Sequence, residues 1–140
     1  MTDVVIDSSF AVAILVEEEH SPYAWGILGK VGETPLRAPA LIWWEVANAL
    51  QMKVRRGDLN ASRLPEFLGA FEDLMITLEA PPAAGVLTLV GELAEKHGRT
   101  IYDAAYLQLA VALDAELATI DKALTRAALA EGLTVHSPFA

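Results

Sequence analysis

Five short runs of β-branched and other apolar residues are spaced along the chain, with longer segments of helical periodicity between them. Runs of this length, bounded by Gly, Pro, Ser and Asp, are typical of β-strands. The predicted strands cover residues 4–7, 36–38, 75–78, 116–119 and 133–135.

The segments between these runs carry start and stop signals for helices. Ser8 or Ser9 opens the first, Thr100 caps a later one, and Gly57 and Gly98 follow the last residues of two others. The predicted helices cover residues 8–16, 21 to 29 or 32, 41–56, 60–74, 81–97, 100–113 and 122–131.

Strands that alternate with helices imply right-handed crossovers and a parallel sheet covered on both faces. We therefore expect a three-layer α/β/α sandwich. In open parallel sheets the functional groups gather at the carboxyl ends of the strands. Asp7 and Asp121 lie at such ends.

Composition narrows the class of protein. A chain of 140 residues is expected to form a single domain, residues 1–140. The hydrophobic fraction of 54% favours some apolar surface for a partner, whereas the net charge of −9 argues against general nucleic-acid affinity. No apolar stretch approaches the roughly 18–20 residues that cross a bilayer, and no signal peptide is evident, so we expect a cytoplasmic protein.

Four acidic residues stand in otherwise apolar surroundings, and these are the strongest candidates for chemistry. Within about 5 Å, each neighbouring pair of carboxylates would repel by roughly 3 kcal/mol at an effective dielectric near 20, so a cluster requires a cation. The chain has no Cys, and its three His are scattered, which favours oxygen ligands and hence Mg²⁺ or Mn²⁺. The four acids are Asp7, Glu45, Asp103 and Asp121.

Each acid also has an ordinary structural interpretation. Asp7 and Asp121 could cap the helices that follow them, although Ser8 and Ser9 could cap the first helix equally well. Asp103 stands three residues after Thr100, in an arrangement similar to a capping box. Glu45 borders the buried stripe of its helix but could be solvated. Any single acid is weak support for a functional site, whereas four acids at consistent topological positions are stronger support.

Basic residues are grouped near the ends of two predicted helices. A favourable interaction with the helix dipole explains this placement, and a small rim that contacts phosphate is the functional alternative. The candidates for phosphate contact are Lys53, Arg55, Arg56 and Arg99.

The blocks VVIDSSFAVAIL, PALIWWEVANAL, TIYDAAYLQLAVAL and LATIDKAL together resemble the PIN-domain nuclease family, and within it the toxin subunits of VapBC toxin–antitoxin systems. The resemblance covers nearly the whole chain. It implies a five-stranded parallel sheet and a ribonuclease whose divalent metal is held by the four acids. Ser9, often Asn in this family, and Thr119 are implied as hydroxyls that support the pocket.

The resemblance further implies the reaction and the partners. Mg²⁺ or Mn²⁺ would activate a water molecule that hydrolyses an RNA phosphodiester, leaving a 5′-phosphate and a 3′-hydroxyl. Such toxins form homodimers and are silenced by an antitoxin that lays an apolar helix on the toxin. Trp25, Trp43 and Trp44 are candidate docking residues.

Other functions stay open. A PIN-fold nuclease could act in RNA maturation outside a toxin–antitoxin pair, and a catalytically silent PIN module could bind RNA or act as a scaffold. A phosphotransfer receiver domain would require an acidic pair after the first strand, where this chain has Asp7-Ser8-Ser9. A haloacid-dehalogenase-like phosphatase would require an acid at position 9, where this chain has Ser.

Overall fold

A computed structural model describes residues 2–140 and has a five-stranded parallel sheet at its centre. The strands occur across the sheet in the order β3-β2-β1-β4-β5, so β1 and β4 are neighbours although more than a hundred residues separate them. The strands are β1 (Val4–Ile6), β2 (Leu36–Pro39), β3 (Thr77–Glu79), β4 (Glu116–Ala118) and β5 (Val135–His136).

Helices cover both faces of this sheet. Connections β1-β2-β3 run in one direction across the sheet and β3-β4-β5 in the other, so right-handed crossovers place their helices on opposite faces. The first four helices accordingly contact one another, as do the last three. The helices are α1 (Ser8–Leu15), α2 (Ser21–Val31), α3 (Leu41–Arg55), α4 (Leu64–Asp73), α5 (Val86–His97), α6 (Ile101–Leu113) and α7 (Lys122–Ala130).

The central strands are apolar because both of their faces are covered. Val5, Ile6, Leu117 and Ala118 are fully buried. On α3, the buried residues Ile42, Val46 and Leu50 recur at helical spacing and are also fully inaccessible. The prediction of a three-layer α/β/α sandwich with a five-stranded parallel sheet is confirmed. Within residues 2–140, no helix combines the length and apolar character needed to span a membrane.

Some predicted boundaries were wrong. The helix predicted from residue 81 begins at Val86, because Gly85 immediately before it adopts φ 91°, a left-handed conformation that interrupts a right-handed helix. The helix predicted from residue 60 is divided into a 3₁₀ turn, Ala61–Arg63, and α4, whose first turn contains Pro65. Strands β3 and β5 lie one or two residues beyond their predicted positions.

One ion-pair network joins three strands at the edge of the sheet. The Arg37 guanidinium, on β2, donates from Nη1 to Asp3 Oδ2 at 2.8 Å and from Nε to Glu79 Oε1 at 2.7 Å. Asp3 precedes β1, and Glu79 ends the edge strand β3. Because all three side chains are about 28–29% exposed, the pairs are screened less than pairs at the open surface. Arg37 therefore helps to hold β3 in the sheet.

Replacing Arg37 by Ala is expected to lower the free energy of unfolding by about 1–2 kcal/mol, because two partly buried carboxylates lose their shared partner. Urea unfolding followed by circular dichroism measures the loss. Arg126→Ala, at an exposed position on α7, is the control and should change stability by less than about 0.5 kcal/mol. Equal losses in the two variants would contradict the role given to Arg37.

Candidate active site

The carboxyl ends of β1 and β4 meet at one edge of the sheet. Ile6 pairs with Ala118, so the next residues, Asp7 and Thr119, lie side by side. Both are buried. The Thr119 hydroxyl donates to Asp7 Oδ2 at 2.8 Å, which links the ends of the two strands directly.

Asp7 is bound by three donors. Ser9 Oγ lies 2.8 Å from Oδ1, the N–H of Phe10 donates to the same oxygen at 3.0 Å, and Thr119 donates to Oδ2. Asp7 is therefore the N-cap of α1, and the assignment of that role to Ser8 or Ser9 was wrong. The extended backbone of Asp7 aims its side chain at the N–H three residues on, whereas Ser8 already belongs to the helix.

Burial dominates the acidity of Asp7. Burial, with a smaller contribution from the nearby charge of Asp121, raises the pKa of this carboxyl from 3.8 to about 7 against the opposing effect of the three hydrogen bonds. A positive charge added beside Asp7 would therefore stabilise its ionised form. Ser9 completes the pocket by accepting a bond from the N–H of Ile120 at 3.0 Å while its hydroxyl faces Asp7.

Asp121 begins α7 and also faces the site. Its Oδ1 accepts from the N–H of Leu124 at 2.7 Å, so the capping role considered from the sequence is present. Its own N–H donates to Thr119 Oγ1 at 3.0 Å, which places it next to the hydroxyl that binds Asp7. The second oxygen of Asp121 lies 3.8 Å from Nη2 of Arg99.

Asp103 lies in the first turn of α6. Thr100 Oγ1 accepts from the N–H of Asp103 at 3.1 Å, as the predicted capping arrangement requires. The carboxylate of Asp103 faces Arg99 instead of closing a capping box, with Oδ2 2.7 Å from Nη2 and 3.2 Å from Nε. The same nitrogen of Arg99 thus contacts Asp103 and Asp121.

Glu45 meets Tyr106 between α3 and α6. The Tyr106 hydroxyl, which is almost completely buried, donates to Glu45 Oε1 at 2.6 Å. Burial raises the pKa of Glu45, the hydrogen bond from Tyr106 opposes that rise, and the charge of Asp103 adds to it. Burial, followed by the bond to Glu45, also raises the pKa of Tyr106, so this hydroxyl stays protonated as a donor.

The four acids are linked through partners in this structure. Asp7 and Asp121 are joined through Thr119, Asp103 and Asp121 through Arg99, and the charge of Asp103 acts on Glu45. Among residues 2–140, however, no three Asp, Glu or His side chains are grouped so that they could hold a metal ion. The expected four-acid cluster is therefore not present as a formed metal centre in the part of the chain that the structure describes, and Arg99 contacts two of its members.

The donor set nevertheless fits a hard divalent cation. All four side chains offer carboxylate oxygens, the ligands that Mg²⁺ and Mn²⁺ prefer. The Arg99 guanidinium is a cation that Asp103 and Asp121 already share, so both carboxylates lie within reach of one positive group. The buried Asp7 lies one hydrogen-bonded step away, through Thr119.

The candidate RNA-contacting residues have different surroundings. Lys53 Nζ lies 3.4 Å from Glu18, Arg56 Nε lies 3.3 Å from Asp58, and Arg55 is exposed at the end of α3. Of the four candidates, the structure brings Arg99 directly to the acids.

A cavity of about 340 Å³ opens beside the Ser9 side of the site. Val12, Ala13 and Ala49 form apolar walls, and His20 and Glu18 supply polar groups. The cavity also shares Ile120 with the loop that carries Asp121. It has room for a small ligand group next to the acids.

Comparison with known proteins assigns the family. The PIN domain family matches residues 4–129. The chain belongs to the PIN domain family. It is homologous to Ribonuclease VapC3 of Pyrobaculum aerophilum, with 36% identity over 120 residues that cover 86% of this chain and 90% of the relative.

Solved structures have the same fold as this PIN domain. PAE2754 from Pyrobaculum aerophilum superposes with a TM-score of 0.71 at 25% identity, over 96% of this chain and 83% of that chain. VapBC2 from Rickettsia felis, solved with a DNA fragment from its promoter, superposes with a TM-score of 0.63 at 15% identity, over 96% and 97% of the two chains.

Sequence reasoning missed one site residue of this PIN domain and one interaction. Tyr106 was not among the candidate residues, because its contact with Glu45 spans 61 positions and no local pattern indicates it. Arg99 was assigned to RNA, although it lies four residues before Asp103 near a helix start, a spacing that permits an ion pair.

The titration of Asp7 predicts a pH dependence in metal-free buffer. Because the folded-state pKa lies above the ordinary value, the folded protein retains a proton that the unfolded chain releases, so stability falls as pH rises from about 4 to about 7. Relative to Asp7→Asn, the wild-type protein should lose roughly 3 kcal/mol across this window. Urea unfolding in EDTA at several pH values measures the difference.

The control for this prediction is Asp73→Asn, at an exposed position near the end of α4. Its difference from wild type should stay nearly constant from pH 4 to pH 7. A parallel response of Asp7→Asn and wild type across the window would show that Asp7 does not carry the effect.

Proposed function

We propose that the protein is a divalent-metal-dependent endoribonuclease that hydrolyses RNA phosphodiesters. The observation that carries this proposal is the single Arg99 nitrogen that contacts both Asp103 and Asp121 beside the buried Asp7. Such a site binds positive charge at the edge of the sheet where parallel folds place their chemistry. The homology to Ribonuclease VapC3 supports RNA as the substrate.

The metal ligands in this proposal are the four carboxylates. A bound Mg²⁺ or Mn²⁺ ion would acidify a water molecule and offset the charge that develops on the phosphate oxygens. The residues that would hold it are Asp7, Glu45, Asp103 and Asp121.

The surrounding side chains orient these ligands. The Ser9 and Thr119 hydroxyls fix both oxygens of Asp7, and each hydroxyl is itself held by a backbone N–H. Tyr106 fixes Glu45 Oε1, which would leave Oε2 available as a metal ligand. Partners of this kind set the direction and basicity of a ligand, so their loss weakens metal affinity even though they never contact the ion.

RNA would approach along the basic end of α3 and the cavity beside Ser9. Lys53 is tied to Glu18, a residue of the cavity rim, so a positive charge lies at the edge of that cavity. The proposed RNA contacts are Lys53, Arg55 and Arg56, with Arg99 at the site itself. Because the chain carries a net charge of −9, RNA would be held by these individual contacts and not by the overall charge of the protein.

The biological role in this proposal is that of the toxin of a type II toxin–antitoxin pair, which forms a homodimer and binds a cognate antitoxin. The fold shared with VapBC2 of Rickettsia felis supports it. So do three large aromatic side chains that the structure leaves exposed, Trp25, Trp43 and Trp44, the last at 76%. Exposed aromatic side chains are the residues that most often anchor a protein partner.

Asp103→Asn is expected to lower RNA cleavage at least about 100-fold, because the amide keeps the shape of the side chain but removes one ligand charge. The assay incubates purified protein with single-stranded and structured RNAs in Mn²⁺ or in EDTA and maps the cut ends. Wild-type cleavage should require the metal and leave 5′-phosphates.

The matched control is Asp114→Asn at the opposite end of α6, where φ is 51° and Asn is tolerated as well as Asp. It should cleave like wild type. Cleavage that survives EDTA would overturn the metal mechanism. Absence of cleavage for every RNA, with retained RNA binding, would favour a silent RNA-binding module.

A further inference from the structure

Arg99 occupies a short connection between α5 and α6 whose backbone is held on both sides. Gly98 ends α5 in the left-handed conformation, with φ 61°, and the N–H of Arg99 donates to the carbonyl of Ala94 at 2.9 Å. Thr100 then caps α6. The Arg99 side chain therefore starts from a fixed point next to Asp103.

The guanidinium of Arg99 concentrates its contacts on two of the four acids. Nη2 lies 2.7 Å from Asp103 Oδ2 and 3.8 Å from Asp121 Oδ2, and Nε lies 3.2 Å from the same oxygen of Asp103. The side chain is only 27% exposed, so solvent screens these interactions incompletely. Because arginine stays protonated at every physiological pH, this positive charge is permanent.

A metal ion bound by Asp103 and Asp121 would lie close to this guanidinium, which contacts one oxygen of each carboxylate. Two unit positive charges about 4 Å apart repel by about 4 kcal/mol at an effective dielectric near 20, and a divalent ion is repelled about twice as strongly. Metal bound by both Asp103 and Asp121 therefore requires the guanidinium to withdraw.

We propose that Arg99 is an internal counter-ion that competes with the divalent cation for Asp103 and Asp121. This proposal rests on the metal-dependent function proposed above. Without metal, Arg99 neutralises the two carboxylates and ties the starts of α6 and α7 together. Metal enters as the guanidinium leaves, so the affinity for metal is the difference between two competing cation interactions.

A purely structural ion pair would have the opposite consequence. If Arg99 only tied α6 to α7, its removal would loosen Asp103 and Asp121 and weaken metal binding. If Arg99 competes with the metal, its removal leaves both carboxylates free to the ion and strengthens binding. The sign of the change in metal affinity separates the two roles.

Isothermal titration calorimetry with Mn²⁺ alone tests the competition, using purified wild type, Arg99→Gln and Arg99→Lys. Arg99→Gln is expected to bind Mn²⁺ about tenfold more tightly, because the competing charge is gone. Arg99→Lys, which keeps the charge but loses the forked contact, should fall between the two. Arg126→Gln removes the same charge from an exposed position on α7 and should stay within about twofold of wild type.

Thermal unfolding supplies a second readout that needs no catalysis. In EDTA, Arg99→Gln should melt a few degrees below wild type, because Asp103 and Asp121 then face each other without a counter-ion. In saturating Mn²⁺ the same variant should gain more stability than wild type, as tighter binding requires. Arg126→Gln should follow wild type in both buffers.

The outcomes distinguish failure of the proposed competition from failure of the proposed metal-dependent function. Mn²⁺ affinity of Arg99→Gln that equals or falls below that of wild type, while wild type binds the ion, would overturn the competition and leave the metal site intact. Absence of Mn²⁺ binding by wild type and every variant would overturn the metal-dependent function itself, and the competition with it.

Discussion

A buried carboxylate at the end of a buried strand is the constraint around which this molecule is arranged. Asp7 follows three fully enclosed apolar residues, and its burial alone would disfavour the charged form. The chain meets this cost with three donors, from Ser9, Phe10 and Thr119. The same bonds begin α1 and join the ends of β1 and β4, so the placement of one charge also sets local architecture.

The crossover of the chain brings the other acids to this point. Because the connection after β3 returns to the far side of β1, β4 becomes the neighbour of β1 and delivers Thr119 and Asp121 beside Asp7. The helix before β4 starts at the same edge, which carries Asp103 there. Glu45 arrives from the opposite layer and is held through Tyr106. Four distant segments thus supply charge to one region.

Much of this could be predicted from local sequence signals. Asp7 and Asp121 lie at strand ends, Thr100 caps α6 and Gly98 ends α5, because these features depend on residues within one or two turns. The layered parallel sheet followed from the alternation of strands and helices. The starts of α4 and α5 were missed, since proline is compatible both with a first helical turn and with the turn before a helix, and the left-handed Gly85 lies between Pro82 and α5.

The partners of the acids could not be predicted in the same way. Side chains far apart in sequence meet through packing, as Tyr106 and Glu45 do, and periodicity indicates only which face each occupies. Nor does residue type alone reveal what a cationic side chain will bind. Arg99 stood close to a helix start, where contact with phosphate and contact with Asp103 were both available.

The electrostatic balance of the site explains how a PIN domain can fold with these acids so close. In the metal-free state two positive influences reduce the charge at this edge of the sheet: the retained proton that accompanies the raised pKa of Asp7, and the guanidinium between Asp103 and Asp121. Both act on carboxylates that would bind a metal in the proposed function, so the stability that they provide without metal lowers the net affinity for the ion. Stability without metal and affinity for metal are therefore opposed at three side chains, Asp7, Asp103 and Asp121, and a substitution that removes one of these positive influences is expected to change both quantities.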